Sequence, residues 1–134
     1  MISNIIQDIT DMHSKYQVHE WIAANPDKLS ELLKLRMRML TEEFAETMDA
    51  YLQSDPEELV DGLIDLVVIA IGTLDIAGVD PQEAWSQVFN ANMSKEVGVK
   101  PGRPNKPGLP DLVKPTDWQA PSHAQNYGKL PTIL

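Results

Sequence analysis

Apolar residues recur every three or four positions along the first 95 residues, which is the spacing of an amphipathic helix. One stripe lies on residues 2–15 and consists of Ile2, Ile5, Ile6, Ile9 and Met12. A second lies on residues 28–52 and consists of Leu29, Leu33, Leu40, Phe44 and Met48, with Tyr51 beyond it. A short piece, VHEWIAANP, separates them and ends before Pro26. The spacing predicts two main helices joined by a short one.

Two further helices are indicated by their end signals. Asp55 is a favourable N-cap, Pro56 suits the first helical position, and Glu58 follows as in a capping box. Gly78 ends this third helix, and a fourth starts at Asp80–Pro81 and continues to about residue 95. No segment shows strand alternation. The prediction is an all-α antiparallel bundle of about four to five helices, oligomeric, with an irregular C-terminal tail.

Proline and charge separate the tail from the helical body. Seven of the ten prolines lie after residue 100, and the segment KPGRPNKPGLPDLVKP can be neither a helix nor a central strand. Residues 1–94 hold 17 acidic and 5 basic residues, whereas residues 95–134 hold 3 acidic and 6 basic ones. We therefore predict a helical domain at 1–97 and a basic, Pro/Gly-rich tail at 98–134.

Composition excludes several classes of function. The net charge of -9 argues against nucleic acid as a partner, because phosphate backbones select basic surfaces. The absence of cysteine excludes disulfides and thiolate metal sites. The start lacks the features of a secretory signal, and the longest purely apolar run, residues 66–71, is too short to cross a bilayer. A cytoplasmic protein without a membrane partner is expected.

Two acidic clusters are the candidate chemistry. The sequence EEFAE places Glu42, Glu43 and Glu46 on adjoining turns of the second main helix, where like charges lower helix stability. The next helix carries Glu58, Asp61 and Asp65 at spacings of three and four, so these share a face. The short link QSDP predicts that the two helices are antiparallel neighbours, with the clusters at similar height. Ligands that are all oxygen suit Mg²⁺ or Mn²⁺.

Asp65 lies within GLIDLVVIAIGTLDIA, a helix that is apolar almost all round and is therefore expected to be buried among helices or subunits. A buried carboxylate needs a partner. Metal is one partner, and an ion pair with Arg36 or Arg38 is the other that stays open. A solvated acidic face that binds a basic protein is the alternative without catalysis. A di-iron bundle is disfavoured, because no glutamate lies three residues before a histidine.

The motifs resemble those of the all-α nucleoside triphosphate pyrophosphohydrolase superfamily, which includes MazG, dimeric dUTPases and phosphoribosyl-ATP pyrophosphohydrolase. EEFAE is similar to the first half of its EExxE…ExxD signature, and ELVD, residues 58–61, to the second. DLVVIAIGT and NANMSKE also look like family segments, and the likeness is closest to phage MazG-like members. One position departs: alignment on the GT places Asp65 at the final aspartate and Gly62 at the preceding glutamate.

The resemblance implies metal ligands and a reaction. Glu43, Glu46, Asp61 and Asp65 are the expected metal ligands, and Glu42 and Glu58 are second choices as ligands or activators of water. It remains open whether ELVD or the pair of Asp61 and Asp65 supplies the second helix's ligands. The catalytic residues expected are Glu42, Glu43, Glu46 and Asp65.

Two or three Mg²⁺ ions per site, replaceable by Mn²⁺, would assist water to attack the α-phosphorus, releasing pyrophosphate and a nucleoside monophosphate. Purine substrates such as dGTP, GTP or dATP are the first guesses, and a homodimer or homotetramer is expected.

Other side chains gain candidate roles by the same resemblance. Lys95, Asn92 and Arg38 are candidates for phosphate binding, although a helix-terminal Lys95 and an Arg38–Glu42 pair are the alternatives. Five N-terminal residues could bind the base, although aromatic residues in such a position more often belong to the core: His13, Tyr16, Gln17, His19 and Trp21. Lys100 and Arg103 could close over the phosphates, or belong to a solvated tail.

Overall fold

A computed structural model describes residues 4–102 and 108–134 of the chain. These residues are mostly helical, and the predicted all-α architecture is confirmed. The helices are α1 (Ile5–Lys15), α2 (Val18–Ala24), α3 (Leu29–Leu52), α4 (Pro56–Ile76), α5 (Pro81–Met93) and α6 (Leu130–Ile133), with a 3-10 turn at Pro26–Lys28. Two three-residue strands, β1 (Glu96–Gly98) and β2 (Asp111–Val113), pair in antiparallel fashion, with Val97 opposite Leu112.

The predicted ends of α4 hold, whereas α1 begins at Ile5 and not at residue 2 as predicted. Ile2 itself lies outside the described residues. The Asn4 side chain caps α1 by accepting from the backbone N–H groups of Ile6 and Gln7. The Asp55 carboxylate accepts from the Glu58 N–H at 3.1 Å, so the N-cap of α4 is as predicted. Gly78, just beyond α4, has φ +76, a left-handed conformation that glycine adopts without strain.

The chain forms two compact units. One contains Met1–Pro81 and Tyr127–Leu134, and the other contains Gln82–Asn126. The predicted division at residue 97 falls inside β1, and it stays a prediction about where the helical domain ends. The predicted tail is less irregular than expected, because it carries β2 and α6. Among the described residues, no helix is both long and apolar enough to cross a membrane.

The first unit is built around the antiparallel pair α3 and α4, which have the most extensive contact of any two elements. One cluster of its core consists of Ile22, Leu29 and Ile76, with Val18, Leu32 and Ile133 packed against it. The last residues are held there by backbone as well, because the Lys129 N–H donates to the Ala77 carbonyl at 2.7 Å. The C-terminal end of the chain therefore belongs to this unit.

The prediction that α4 is buried all round is wrong for the single chain. Gly62, Ile69, Gly72 and Ile76 are buried along one side. Another side is exposed and consists of Val60, Leu63, Ile64 and Val67. Within its unit α4 packs mainly against α3 and α1, with a smaller contact from α2, and these helices cover one side only. An apolar surface is thus left uncovered beside the carboxylates.

Candidate active site

Two contacts fix the register of α3 against α4. Gly62 lies directly against Thr47: a Cβ at position 62 would collide with Thr47 Oγ1 and stand 3.2 Å from its Cβ. Farther along, the Arg36 side chain donates to Thr73 Oγ1 and to the Ile69 carbonyl, both at 3.2 Å. Both contacts give the same register.

That register gives the position of each carboxylate along the axis of the helix pair. Counting three residues from the contact of Thr47 with Gly62 sets Asp65 level with Phe44, one residue from Glu43 and thus about 1.5 Å from it along the axis. Asp61 is level with Met48, so Glu46 lies midway between the two aspartates, about 3 Å from each along the axis. The prediction of matched height is therefore sound for Glu43, Glu46, Asp61 and Asp65.

Glu43 is the electrostatic centre of this group. Its side chain is half-buried. Partial desolvation raises the pKa of Glu43, and the negative charges of Glu46, Asp65 and Glu42 raise it further. Asp65 belongs to α4 and the glutamates to α3, so the charges of both helices act on one carboxyl group. We call Glu42, Glu43, Glu46 and Asp65 the carboxylate group.

The other two acidic residues lie nearer the link between the helices. Asp61 is one turn before Asp65, and Glu58 is level with Tyr51, about 7.5 Å along the axis from Glu46. Both are exposed. Asp61 can complete the ligand set from one turn away, whereas Glu58 is the more distant second choice.

Asp65 itself is exposed, which corrects the expectation of a buried carboxylate. The alternative in which it pairs with arginine is also wrong: the ion pairs formed by the described residues include none with Asp65, Arg36 or Arg38. Arg36 instead extends toward Ile69 and Thr73, one to two turns farther along α4. Arg38 is exposed and forms no pair with Glu42, so its positive charge is available near the carboxylate group.

The carboxylate group fits divalent cations of the hard type. Its donors are oxygen atoms alone, which suits Mg²⁺ and Mn²⁺. None of the ion pairs formed by the described residues involves a member of the carboxylate group, so its negative charges repel one another. Ion binding would relieve that repulsion, so the residues present fit the expected metal.

Lys95 and Asn92 belong to the second unit. Lys95 Nζ lies 5.2 Å from the centroid of the Trp118 ring, and Lys114 Nζ lies 4.7 Å from it. The Trp118 indole N–H donates to the Ala91 carbonyl at 2.7 Å. Lys95 therefore contacts an aromatic ring, and its phosphate role and that of Asn92 stay predictions. Lys100 Nζ lies 3.8 Å from Asp111 Oδ1. Arg103 lies outside the described residues.

The candidate base-binding residues divide into two kinds. Tyr16 is 69% exposed and Trp21 is 44% exposed, so the alternative that they belong to the core is wrong. Gln17, between α1 and α2, has a left-handed backbone with φ 60. His13 is different, because its side chain is only 12% exposed and its Nδ1 lies 2.6 Å from Asp75 Oδ2. Base contact by these four residues and by His19 stays a prediction.

The sequence interpretation grouped His13 with His19 but missed the contact of both with Asp75. His19, Asp75 and Arg36 gather beside Gly72, where a Cβ would collide with the Arg36 guanidinium and stand 3.2 Å from the His13 ring. The signal was present as a second aspartate in the apolar helix and as the GT pair, Gly72 and Thr73. Glycine leaves the space, and the Thr73 hydroxyl accepts from Arg36 Nε.

A family model described as phosphoribosyl-ATP pyrophosphohydrolase matches residues 15–92. The match covers α2 to α5 almost entirely, and it includes every member of the carboxylate group. It ends before Lys95. No curated protein and no solved structure shows a significant match to the chain.

Proposed function

The chain belongs to the phosphoribosyl-ATP pyrophosphohydrolase family, and from this premise we propose that it is a Mg²⁺-dependent nucleoside triphosphate pyrophosphohydrolase. Family membership supports pyrophosphohydrolase chemistry on a nucleotide in general. The proposal adds the products, a nucleoside monophosphate and pyrophosphate, and water attack at the α-phosphorus. The observation that carries it is the register of α3 against α4, which brings Glu43 and Glu46 to the height of Asp61 and Asp65.

In this proposal Glu43, Glu46 and Asp65 hold the ions, and Asp61 completes the set from the next turn. Bound Mg²⁺ would lower the pKa of a water molecule and neutralise phosphate charge. Glu42, exposed beside Glu43, either ligates or accepts the proton from the attacking water. Arg38, one turn before Glu42, supplies a positive charge for phosphate oxygens. The chain's contribution is thus position and charge.

Exposed aromatic residues give the proposal a place for the base. Tyr16 and Trp21 lie on the surface of α1 and α2, where a purine ring could stack on either. Stacking alone does not distinguish one purine from another. We propose a purine nucleotide such as dGTP, GTP or dATP because a purine has a larger ring surface for stacking than a pyrimidine. The family's name adds phosphoribosyl-ATP as a substrate worth comparing.

A panel of nucleoside triphosphates with Mg²⁺, Mn²⁺ or EDTA tests the proposal directly. We expect pyrophosphate release from at least one nucleotide, abolished by EDTA. The matched variants Glu46→Gln and Glu57→Gln separate the site from the exposed acidic surface, because Glu57 lies in the first turn of α4, outside the carboxylate group. Loss of release with Glu46→Gln alone supports the proposal. The alternative, a non-enzymatic helical oligomer with an acidic protein-binding patch, predicts no release under any of these conditions.

A further inference from the structure

Three side chains from three helices meet at one carboxylate oxygen, well away from the carboxylate group. His13 Nδ1 on α1 lies 2.6 Å from Asp75 Oδ2 on α4, and His19 Nε2 on α2 lies 2.7 Å from the same atom. The two imidazole rings are edge to face, with centroids 6.0 Å apart. Asp75 follows Asp65 by ten residues, so the two sites are separated by about 15 Å along α4.

The surroundings keep Asp75 directed toward the imidazoles. Burial lowers the pKa of Arg36, and the negative charge of Asp75 partly offsets this effect by raising the Arg36 pKa. Among the described residues, Arg36 nevertheless forms no ion pair with Asp75. Here the Arg36 N–H groups donate to Thr73 Oγ1 and the Ile69 carbonyl instead. The Asp75 Oδ2 atom therefore has the two histidine nitrogens as its partners.

Burial gives the cluster one open side. The side chains of His13 and Asp75 are 12% and 13% exposed, whereas that of His19 is 39% exposed. An ion could enter past His19, and water could fill its remaining coordination position. Two imidazole nitrogens and one carboxylate oxygen are a ligand set typical of Zn²⁺ and of other divalent transition ions, and they disfavour Mg²⁺.

We propose that His13, His19 and Asp75 form a second metal site, which takes Zn²⁺ or a similar transition ion and is independent of the Mg²⁺ site. The ion would replace the two hydrogen bonds now made to Asp75 Oδ2. In each neutral ring the proton moves to the other nitrogen, so no net proton is released. Metal–ligand bonds of about 2.0–2.2 Å in a tetrahedral site place ligand atoms roughly 3.4 Å apart, so the two nitrogens must withdraw from Asp75 by somewhat less than 1 Å.

Occupancy would have a structural consequence. The site joins α1 and α2 to α4, and α1 and α2 carry the exposed rings of Tyr16 and Trp21. A bound ion would hold these helices more firmly on α4. The positive charge of Arg36 opposes a cation at the site, so we expect a reversible ion that exchanges with solution.

Titration of the full chain with Co²⁺ in excess Mg²⁺ tests the proposal, because Mg²⁺ competes for the carboxylate group and Co²⁺ in a tetrahedral site with nitrogen ligands has much stronger visible bands than hydrated Co²⁺. We expect one equivalent of Co²⁺ to bind, with visible bands that Zn²⁺ displaces. His19→Ala and Asp75→Asn should each weaken binding at least tenfold. His123→Ala, which removes the remaining histidine of the chain, and Asp65→Asn, in the carboxylate group, should leave the bands unchanged.

Two results would overturn the second site. One is a spectrum of the wild-type chain at millimolar Co²⁺ that shows no bands beyond the weak ones of hydrated Co²⁺. The other is unchanged binding in both His19→Ala and Asp75→Asn, with circular dichroism showing that each is folded. Asp75→Asn keeps the size of the side chain, so it serves as the deciding variant if His19→Ala fails to fold.

Discussion

At the scale of single residues, Glu43 is the member of the carboxylate group on which the negative charges of the other three act. Its pKa is raised by partial desolvation and by the charges of Glu46, Asp65 and Glu42. A carboxyl group whose pKa is higher in the folded than in the unfolded chain favours folding when protonated, so this contribution is present at low pH. It is lost as the pH rises from the ordinary range of glutamate through the raised folded value.

Glu43→Gln should therefore stabilise the metal-free protein at neutral pH. The gain should shrink as the pH falls toward the ordinary glutamate range, because the wild-type carboxyl group then becomes neutral as well. Thermal melts in EDTA across this pH range measure the difference. Glu57→Gln is the control: a negative charge in the first turn of α4 is favourable, so its removal should not stabilise the protein at neutral pH. A Glu43→Gln difference that is flat or grows with acidity would contradict the raised pKa.

A role of Asp65 as a metal ligand and a purely structural role predict opposite effects of Asp65→Asn on the stability of the metal-free protein. Since Asp65 is exposed and has no arginine partner among the described residues, Asp65→Asn should leave the metal-free protein as stable or slightly more stable. Stabilisation by Mg²⁺ should shrink, and pyrophosphate release should fall by about 100-fold or more. Melting temperatures with EDTA and with Mg²⁺ separate the effects. A large loss of stability in EDTA, with the Mg²⁺ shift intact, would remove Asp65 from the site.

At the scale of elements, the approach of α3 to α4 depends on Gly62. A Cβ at this position would collide with Thr47 Oγ1, so Gly62→Ala must push the helices apart or rotate them at the height of the carboxylate group. Overpacking of this kind costs about 1–3 kcal/mol. We expect that loss in urea unfolding, together with reduced pyrophosphate release.

Gly102→Ala is the matched control for Gly62→Ala, because a Cβ there meets nothing within 4 Å. It should leave both stability and pyrophosphate release within error of the wild type. Equal effects of the two substitutions would mean that close packing at Gly62 does not set the geometry of the site.

The sequence predicted the helices well because their end signals are local. Asp55 and Pro56 mark the start of α4, and Gly78 follows its end, as the structure has them. The strands β1 and β2 were not predicted, since three residues are too few for alternation and their partners lie far apart in the chain. The cluster of His13, His19 and Asp75 was missed for the same reason: its members come from three separate helices.

The interpretation of α4 failed in an informative way. An apolar helix predicts burial, but it does not say whether the covering surface comes from the same chain. Asp65 was expected to be buried with its neighbours, and it is exposed with them. The height of the carboxylates, in contrast, followed correctly from a short link and a constant rise per residue.

At the scale of the whole molecule, the exposed apolar surface of α3 and α4 predicts self-association. It consists of Phe44, Met48, Val60, Leu63, Ile64 and Val67. An apolar surface of this kind on a small chain favours a second copy, so we expect a dimer or tetramer in light scattering. Ile64→Glu should shift the mass toward the monomer, whereas Val97→Glu, an exposed apolar residue on β1, should not. A wild-type mass of 15.0 kDa at micromolar concentration would contradict self-association.

In the proposed reaction, water attacks the α-phosphorus of a nucleoside triphosphate at the carboxylate group. Hydrolysis in water enriched in oxygen-18, followed by phosphorus NMR and mass spectrometry, tests it most directly. The proposed reaction predicts that the label enters the nucleoside monophosphate and that the pyrophosphate stays unlabelled. Label in pyrophosphate, or release of orthophosphate with a nucleoside diphosphate, would place the attack on another phosphorus and contradict the account.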